Sequence, residues 1–411
     1  MNERLIEIKE RIKKHTLTLF DNVQFIYELA LAQLELESFG VNFEITNGLR
    51  EFGVIGDVEL QVLKRRLAYF KSIDGIYTDY YKITSKNRTK SVNQYLTHWI
   101  YPYKGKFHPQ MIRALLNIIG VVSGETVLDP FIGSGTTALE AQLLGVNCIG
   151  FDISPLCVLQ SKVKTESIQS LNAIIALKDE IELSFFFNAD ENKLDKFIAS
   201  IEDEVIRNFY LMAKLVAISD NARRKREFQN SFLKNLKRMI LSLRDYSDVV
   251  EQLGLKLGNV DIRVGDARNL PLPDGSVDGI ITSPPYSVAL DYVKNDEHAL
   301  KALGYDVESL REEFIGVRGK GKDRLDLYNE DMRKSIDEMY RVLKSGRYAV
   351  IIIGNATYQG KEIKTTEFII DRAEEAGFTL VKNIDKIIFG LYNVMQKENI
   401  LIFKKDEKRR R

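Results

Sequence analysis

The tetrapeptide Ser283-Pro284-Pro285-Tyr286 combines groups that could act on a planar amine. Two consecutive prolines cannot continue a sheet ladder, so the chain must leave the preceding strand in a stiff shape. The Ser283 hydroxyl and the Pro284 carbonyl can accept hydrogen bonds from N–H groups, and Tyr286 offers a flat face for stacking on a base. Acceptors on an exocyclic amino group favour tetrahedral nitrogen and stabilise the charge that develops as the nitrogen attacks a carbon. The alternative interpretation is a rigid turn.

A glycine-containing loop stands earlier in the chain, in the segment LDPFIGSGTTALEA. Gly133 and Gly135 follow a predicted strand and open a predicted helix, where glycine lets the backbone pass close to a ligand. Together with Ala138 they fit the loose G-x-G-x-x-A pattern, which nicotinamide-dinucleotide enzymes and methyltransferases share. The loop alone therefore does not distinguish a nicotinamide-dinucleotide site from the cofactor site of a methyltransferase.

Acidic residues at three predicted strand ends narrow this choice. Asp152 ends the second strand, where a carboxylate can accept hydrogen bonds from two ribose hydroxyls, and Asp266 follows the third, where it can accept from an adenine amino group. Asp129 ends the first strand and suits a cationic amino group, which S-adenosylmethionine has and a nicotinamide dinucleotide lacks. A single Asp is more often a solvated strand end or a helix cap. The three in this order favour S-adenosylmethionine, whereas a nicotinamide dehydrogenase would leave the tetrapeptide without a purpose.

Short apolar runs alternate with helical segments from Thr126 onward, which is typical of an α/β fold with a doubly wound, mostly parallel sheet of the Rossmann-like kind. Seven strands are predicted, at residues 125–129, 147–152, 260–265, 277–283, 347–354, 379–389 and 399–405.

The first 90 residues are predicted to be mainly helical, because apolar residues recur every three or four positions, as from Leu5 to Ile12 and from Phe25 to Leu36. The polar and basic segment 84–94 is the expected linker to the next unit. Residues 1–90 are thus expected to form a helical N-terminal region.

The sheet domain is predicted in two parts, residues 91–155 with the glycine loop and residues 258–405 with the tetrapeptide. Between them, residues 156–257 are far longer than a simple crossover needs, so they indicate a helical insertion that is a candidate nucleic-acid-binding or target-recognition region. A shorter excursion at 287–327 contains GVRGKGKDR, which is typical of a mobile loop.

Bulk properties limit the class of protein. A chain of 411 residues with 45% hydrophobic and 28% charged residues is expected to form two or three compact globular units. Its net charge of +1 requires any nucleic-acid surface to be a local patch. The two cysteines, Cys148 and Cys157, fit neither a disulfide framework nor a metal site, and no apolar run reaches the length of a signal peptide or a membrane span. A cytoplasmic protein without a metal or a membrane partner is expected.

The segments DPFIGSGTTALEA, GFDISP, GDAR and TSPPY, in this order, resemble the amino-methyltransferase family that modifies cytosine N4 and adenine N6 in DNA. The segment THWIYPYKGKFHPQMIRALL looks like that family's cofactor-site helix and its lead-in. The resemblance covers about half the chain and implies a class I methyltransferase sheet, S-adenosylmethionine as cofactor and DNA as partner, either beside a cognate restriction endonuclease or alone. Implied cofactor-binding residues are His108, Asp129, Phe131, Gly133, Gly135, Thr136, Asp152, Ile153, Asp266 and Ala267.

By the same resemblance Ser283, Pro284, Pro285 and Tyr286 would act on a base rotated out of the helix. Serine in the first position is more usual among cytosine N4 enzymes, whereas Asp or Asn is more usual among adenine N6 enzymes. Cytosine N4 is therefore the expected target and adenine N6 the alternative. Methyltransferases acting on tRNA guanine N2 resemble the sheet too, but usually have Asp or Asn before the two prolines and an added RNA-binding domain.

Within the insertion, residues 222–244 are basic and helical in period. Two interpretations stand equal: a surface that neutralises phosphates and a solvated amphipathic helix. The candidate phosphate contacts are Arg223, Arg224, Arg226, Lys234, Lys237 and Arg238. Neither the recognition sequence nor the oligomeric state follows from the sequence.

Overall fold

The computed structural model describes residues 14–56, 58–89, 91–188, 191–286, 291–319, 323–358, 361–389 and 395–407. Its first elements are β1 (Lys14–Leu19), α1 (Ile26–Ser38), β2 (Asn42–Thr46), β3 (Glu51–Ile55), α2 (Leu60–Arg66), β4 (Phe70–Ile73), β5 (Ile76–Tyr77) and α3 (Asp79–Ser85). The five strands form one antiparallel sheet in the order β2-β3-β1-β4-β5.

The prediction of a mainly helical region over residues 1–90 therefore needs correction. The helix expected between Phe25 and Leu36 is present as α1, whereas the positions from Leu5 to Ile12 lie outside the described residues. Part of the sheet has a local cause, because the strand pairs β2–β3 and β4–β5 are each joined by a short turn. Asp74 and Gly75 connect β4 to β5 with φ of 50° and 78°, a two-residue hairpin turn of the kind that Asp-Gly favours.

The central sheet begins after α4 (Pro109–Ile118) with β6 (Thr126–Asp129), α5 (Thr136–Leu143) and β7 (Asn147–Asp152). The helical insertion follows as α6 (Pro155–Glu166), a 3-10 turn (Ser167–Ser170), α7 (Leu171–Asn188), α8 (Glu191–Ser200), α9 (Glu204–Arg224) and α10 (Phe228–Leu253). The remaining elements are β8 (Val260–Val264), β9 (Val277–Thr282), α11 (Tyr292–Ala302), α12 (Val307–Glu313), α13 (Asp323–Val342), β10 (Leu343–Gly354), β11 (Ala356–Tyr358), β12 (Lys361–Ile363), α14 (Thr365–Ala376), β13 (Phe378–Phe389) and β14 (Met395–Lys405).

All seven predicted strands are confirmed as one sheet in the order β13-β14-β10-β9-β6-β7-β8. Strands β10, β9, β6, β7 and β8 run parallel, and β14 runs antiparallel to both of its neighbours. Because the carboxyl ends of parallel strands meet at one edge, the residues after β6, β7, β8 and β9 come together there.

Two buried clusters join the parts of the chain. One is continuous from the N-terminal sheet, at Phe52 and Phe70, to the central sheet, at Val127 and Ile281. The other unites the insertion helices with Tyr101 and with α11. Both additions thus share apolar cores with the sheet domain. Within the described ranges, no helix is long and apolar enough to cross a membrane.

Candidate active site

A cavity of about 1130 Å³ opens at the carboxyl edge of the central sheet. Gly133 of the glycine loop and Tyr286 of the tetrapeptide both line it, so the two motifs face one space. Of the residues expected to bind a cofactor, six also lie on its wall: Phe131, Gly133, Asp152, Ile153, Asp266 and Ala267. The four that do not line it are His108, Asp129, Gly135 and Thr136.

The glycine loop is held from below by the first insertion helix. The carbonyl of Gly133 accepts hydrogen bonds from Gln160 Nε2 at 3.1 Å and Ser161 Oγ at 3.2 Å. Lys164, which is buried, donates to the carbonyl of Ser134 at 2.7 Å. Gly135 occupies the N-cap position before α5 with φ of 75°, and a Cβ there would come within 2.9 Å of the Ser161 Cα. Gly135 therefore acts through the loop's shape and does not face the ligand space.

Asp152 lies where β7 meets the cavity. Its carboxylate accepts from the amide of Gly133 at 2.9 Å and from the amide of Ser154 at 2.9 Å, which ties the end of β7 to the glycine loop. Burial raises the pKa of Asp152 to about 6, although both of these hydrogen bonds lower it. The carboxylate is in no ion pair within the described part of the chain, so it retains acceptor capacity for a ligand.

Asp129 stands behind the cavity wall. Its two oxygens accept from Thr282 Oγ1 and Thr137 Oγ1, both at 2.7 Å, and from the amide of Phe131 at 3.1 Å. Burial raises its pKa to about 6. Because Thr282 is the residue before Ser283, this carboxylate links the glycine-loop strand directly to the strand that carries the tetrapeptide. The expected contact of Asp129 with a ligand's amino group stays a prediction, and the structure shows a positioning role.

Asp266 and Ala267 follow β8 and line the cavity beside Asp152. Asp266 is paired with Arg268, whose Nη2 is 2.6 Å from it, and Arg268 in turn reaches Asp331 at 3.0 Å. Burial works to raise the pKa of Asp266, but its hydrogen bonds with Arg268 outweigh that effect and lower the pKa. This acid is ionised and held in place.

The tetrapeptide leaves β9 directly into the cavity. Ser283, Pro285 and Tyr286 line the space, whereas the side chain of Pro284 is buried behind it. The Tyr286 hydroxyl donates to Glu398 Oε1 on β14, and Glu398 Oε2 accepts from Lys386 on β13. Burial and then the charge of Glu398 raise the pKa of Tyr286, so its hydroxyl stays protonated.

The segment before α4 supplies residues that the sequence analysis did not single out. Tyr103, Lys106 and Phe107 line the cavity, and the ring of Tyr103 covers Gly133 closely enough that a Cβ there would lie 3.3 Å from it. Tyr103 is stacked on Tyr292 with centroids 6.4 Å apart. In the sequence, the feature that could have indicated Tyr103, Lys106 and Phe107 is the aromatic and basic composition of the segment YPYKGKF, which directly precedes His108.

His108 itself does not line the cavity. It precedes Pro109 as the residue that caps α4, and burial lowers its pKa to about 3, so the imidazole is neutral. Lys386, Glu398, Asn355 and Asn399 complete the far wall, and they were not predicted. No short motif marks them, because Lys386, Glu398 and Asn399 lie within strands, and Asn355 directly after one, that reach the tetrapeptide only through sheet pairing.

The basic segment 222–244 is not the single helix that was expected. Helix α9 ends at Arg224, Lys225 takes a left-handed conformation with φ of 56°, and α10 begins at Phe228. Arg223 Nη2 donates to Asp296 at 2.7 Å, and both Arg224 and Arg226 pair with Asp220.

Arg238 lies over the Trp99 ring at 4.0 Å. Four of the six basic candidates therefore make intramolecular contacts: Arg223, Arg224, Arg226 and Arg238. Lys234 and Lys237 are exposed, as are the side chains of Arg224 and Arg226, and phosphate contact at all six positions stays a prediction. Among the described residues, no group of three or more His, Cys, Asp or Glu could hold a metal ion.

Residues 60–162 and 277–410, together more than half of the chain, match the model of the DNA methylase family. The chain belongs to this family. In the DNA methylase fold seen here, the first matched range carries the glycine loop and Asp152, and the second carries the tetrapeptide and Glu398. Residues 163–276, which hold most of the helical insertion, fall between the matched ranges.

Individual relatives of this DNA methylase family member match parts of the chain. It is 26% identical over 316 residues to the Type II methyltransferase M.BsoBI of Geobacillus stearothermophilus, covering 62% of this chain and 61% of that protein. It is 40% identical over 122 residues to the Type II methyltransferase M.MjaII of Methanocaldococcus jannaschii, covering 28% and 22%. A match of 43% over 51 residues to the tRNA (guanine(10)-N2)-dimethyltransferase of Methanothermobacter thermautotrophicus covers 12% and 15%. The chain thus spans about three fifths of M.BsoBI and about a fifth of M.MjaII.

Proposed function

We propose that this chain transfers the methyl group of S-adenosylmethionine to the N4 amino group of a cytosine in DNA. The observation that carries the proposal is the shared cavity, where the glycine loop with Asp152 faces the tetrapeptide with Tyr286. Membership of the DNA methylase family supports the reaction class.

The glycine-loop half of the cavity fits the methyl donor. Gly133 presents bare backbone beneath the ring of Tyr103, and no cation among the described residues pairs with the Asp152 carboxylate. A carboxylate in that state favours a ligand that brings hydroxyl donors, as a ribose does. Asp266 and Ala267 stand next along the edge, where an adenine would follow. When bound, S-adenosylmethionine supplies an electrophilic methyl group on a sulfonium.

The tetrapeptide half fits the base. Ser283 and Tyr286 lie on the cavity wall, where the Ser283 hydroxyl can accept from an exocyclic amine and Tyr286 offers a ring for stacking. The carbonyl of Pro284, the next residue in the chain, is the second proposed acceptor. Aligning the nitrogen with the methyl carbon and the sulfur would supply much of the remaining acceleration. The base must leave the helical stack to reach a cavity at a sheet edge.

Serine in the first position of the tetrapeptide favours cytosine N4 by the family resemblance, and adenine N6 is the alternative. The relatives named Type II methyltransferases support a cognate restriction endonuclease as the partner in the cell. The short match to a tRNA guanine-N2 enzyme favours an RNA substrate as a second candidate.

The test is to incubate the protein with labelled S-adenosylmethionine and either duplex DNA of mixed sequence or total tRNA, digest each to nucleosides and identify the labelled one. N4-methylcytosine is the expected product. N6-methyladenine would show that the target base is adenine and not cytosine. Label confined to N2-methylguanosine from tRNA would reject DNA as the substrate. The variant Tyr286→Ala is the matched control, since it removes the stacking ring from the cavity.

A further inference from the structure

A carboxylate on β14 touches the tetrapeptide. Glu398 accepts a hydrogen bond from the Tyr286 hydroxyl through one oxygen and from Lys386 Nζ through the other. Lys386 stands directly opposite Glu398 in the β13–β14 register, so sheet pairing fixes both side chains toward the tetrapeptide. All three residues line the cavity.

The space for this carboxylate is kept open by the neighbouring strand. Gly354 of β10 pairs with Glu398, and a Cβ at Gly354 would lie 3.3 Å from the Glu398 Cγ and 2.8 Å from the Lys397 carbonyl oxygen. The side chains of Lys386 and Glu398 are 11% and 14% exposed, so the remaining accessible surface of the pair faces the cavity.

Four carboxylates line the described wall of the cavity: Asp152, Asp266, Glu362 and Glu398. Asp152 is tied to the glycine loop and Asp266 to Arg268, on the proposed donor side. Glu362 belongs to the exposed hairpin of β11 and β12, where it accepts from Asn355 at 3.0 Å. Glu398 is the carboxylate among these that contacts the tetrapeptide, whose first residue here is a serine without a charge.

From this arrangement the structure assigns to Glu398 the role of proton acceptor for the target amino group, an inference that rests on the proposed function. The nitrogen's lone pair forms the new bond to the methyl carbon, and the carbon–sulfur bond breaks with its electrons left on sulfur. The nitrogen then carries a positive charge until one of its protons leaves. That proton passes to Glu398, either directly or through Tyr286, which gives its own hydroxyl proton to Glu398 as it takes the one from nitrogen.

The ion pair with Lys386 is compatible with this role. A positively charged exocyclic amine is a strong acid, so an ionised carboxylate can take its proton. Lys386 holds the carboxylate toward Tyr286 and balances its charge while no base is bound. Lys386 is thus a positioning residue.

The experiment compares single-turnover methylation of duplex DNA, with donor and DNA saturating, in the wild type, Glu398→Gln, Glu398→Asp and Lys386→Met. Gln keeps an oxygen that can accept from Tyr286 but cannot take a proton. We expect Glu398→Gln to lower the rate by about 10²-fold or more, the range of a positioned general base, with donor affinity unchanged. Glu398→Asp should recover part of the rate, and Lys386→Met should lose less than Glu398→Gln does.

A wild-type rate in Glu398→Gln would overturn the inference. Equal losses in Gln and Asp, or an equal loss in Lys386→Met, would also overturn it, because the effect would then follow packing or the ion pair and not proton acceptance. Donor affinity by calorimetry and the thermal midpoint show whether each variant is folded. Absence of DNA methylation by the wild type would reject the proposed function itself, and with it this inference, whereas the other outcomes leave the proposed function standing.

Discussion

Two carboxylates in different regions of this molecule, Asp152 at the cavity and Asp220 at the turn between α9 and α10, are neutralised differently. Within the described residues Asp152 is in no ion pair and accepts from the amides of Gly133 and Ser154, and burial raises its pKa to about 6. Asp220, with a side chain 7% exposed, is paired with Arg224 at 2.8 Å and Arg226 at 3.3 Å and accepts from Ser231 and Asn235. Burial works against its charge, but these partners outweigh burial and lower the pKa of Asp220.

The difference indicates where a ligand is expected. A buried acid without a cation is electrostatically incomplete, and a ligand that brings hydrogen-bond donors or positive charge stabilises it. An acid surrounded by arginines is already satisfied and contributes to the fold.

The largest effect is expected from Asp152→Asn. Losing a charged acceptor for two ribose hydroxyls should weaken S-adenosylmethionine binding by about 10²-fold, since hydrogen bonds to charged groups contribute about 1.5–3 kcal/mol each. Calorimetric titration measures the affinity, and the thermal midpoint should change little. An unchanged affinity would remove Asp152 from the donor site.

The complementary variant is Asp220→Asn. It leaves Arg224 and Arg226 without their shared partner and should lower the free energy of unfolding by about 2–3 kcal/mol. Urea denaturation measures this loss, while donor affinity should equal that of the wild type. If Asp220→Asn weakened donor binding and left stability intact, the distinction between the two regions would be lost.

The pH dependence should have opposite signs in the two regions. Because the pKa of Asp152 is raised from 3.8 to about 6, burial of its charge makes the apoprotein less stable as the pH rises through that interval. The donor needs the ionised form, so its affinity should fall about tenfold between pH 7 and pH 5. Asp220 has a lowered pKa, so its contribution to stability is present at neutral pH and is lost on strong acidification.

Titrations at several pH values test this dependence, with Asp152→Asn as the control. The variant's affinity should not vary over the same interval. A wild-type affinity that stayed constant from pH 7 to pH 5 would show that the ionisation of Asp152 does not govern donor binding.

The smallest effect concerns the exposed lysines of α10. Replacing Lys234 and Lys237 by Ala should reduce the slope of log affinity for DNA against log salt by about 2, since each phosphate contact contributes about 0.9. Arg223→Ala is the matched control, because its guanidinium is engaged by Asp296 and by backbone carbonyls. If the lysine variant kept the wild-type slope, α10 would not contact the DNA backbone.

The central sheet could be predicted strand by strand because parallel strands buried on both faces are short, continuous apolar runs, as Ile280 and Ile281 in β9 or Ile351 to Ile353 in β10 illustrate. The N-terminal sheet gave no such runs. In β2, residues Asn42–Thr46 alternate between exposed and partly exposed positions. The prediction of helix was based on the period that α1 shows and was wrongly applied to the segments around it. The Asn47-Gly48 and Asp74-Gly75 pairs were the available hairpin signals.

For the site, local motifs placed Gly133, Asp152 and Tyr286 correctly on one cavity, since each lies at a strand end and the topology brings those ends together. Glu398 and Lys386 could not be found in this way. They sit within strands, and they reach Tyr286 only because β14 inserts between β13 and β10. The position of Tyr103 could not be predicted either, because it depends on a loop that approaches Gly133 closely, and no residue spacing in the sequence indicates that approach.

The most direct measurement is a crystal structure of the protein with an unreactive analogue of S-adenosylmethionine and a short duplex containing the methylated site. The account predicts the analogue over Gly133 with its ribose at Asp152. It also predicts a cytosine turned out of the helix onto Tyr286, with its amino nitrogen about 3–3.5 Å from the methyl position. A base that stays stacked in the duplex, or an analogue bound away from Gly133, would contradict it.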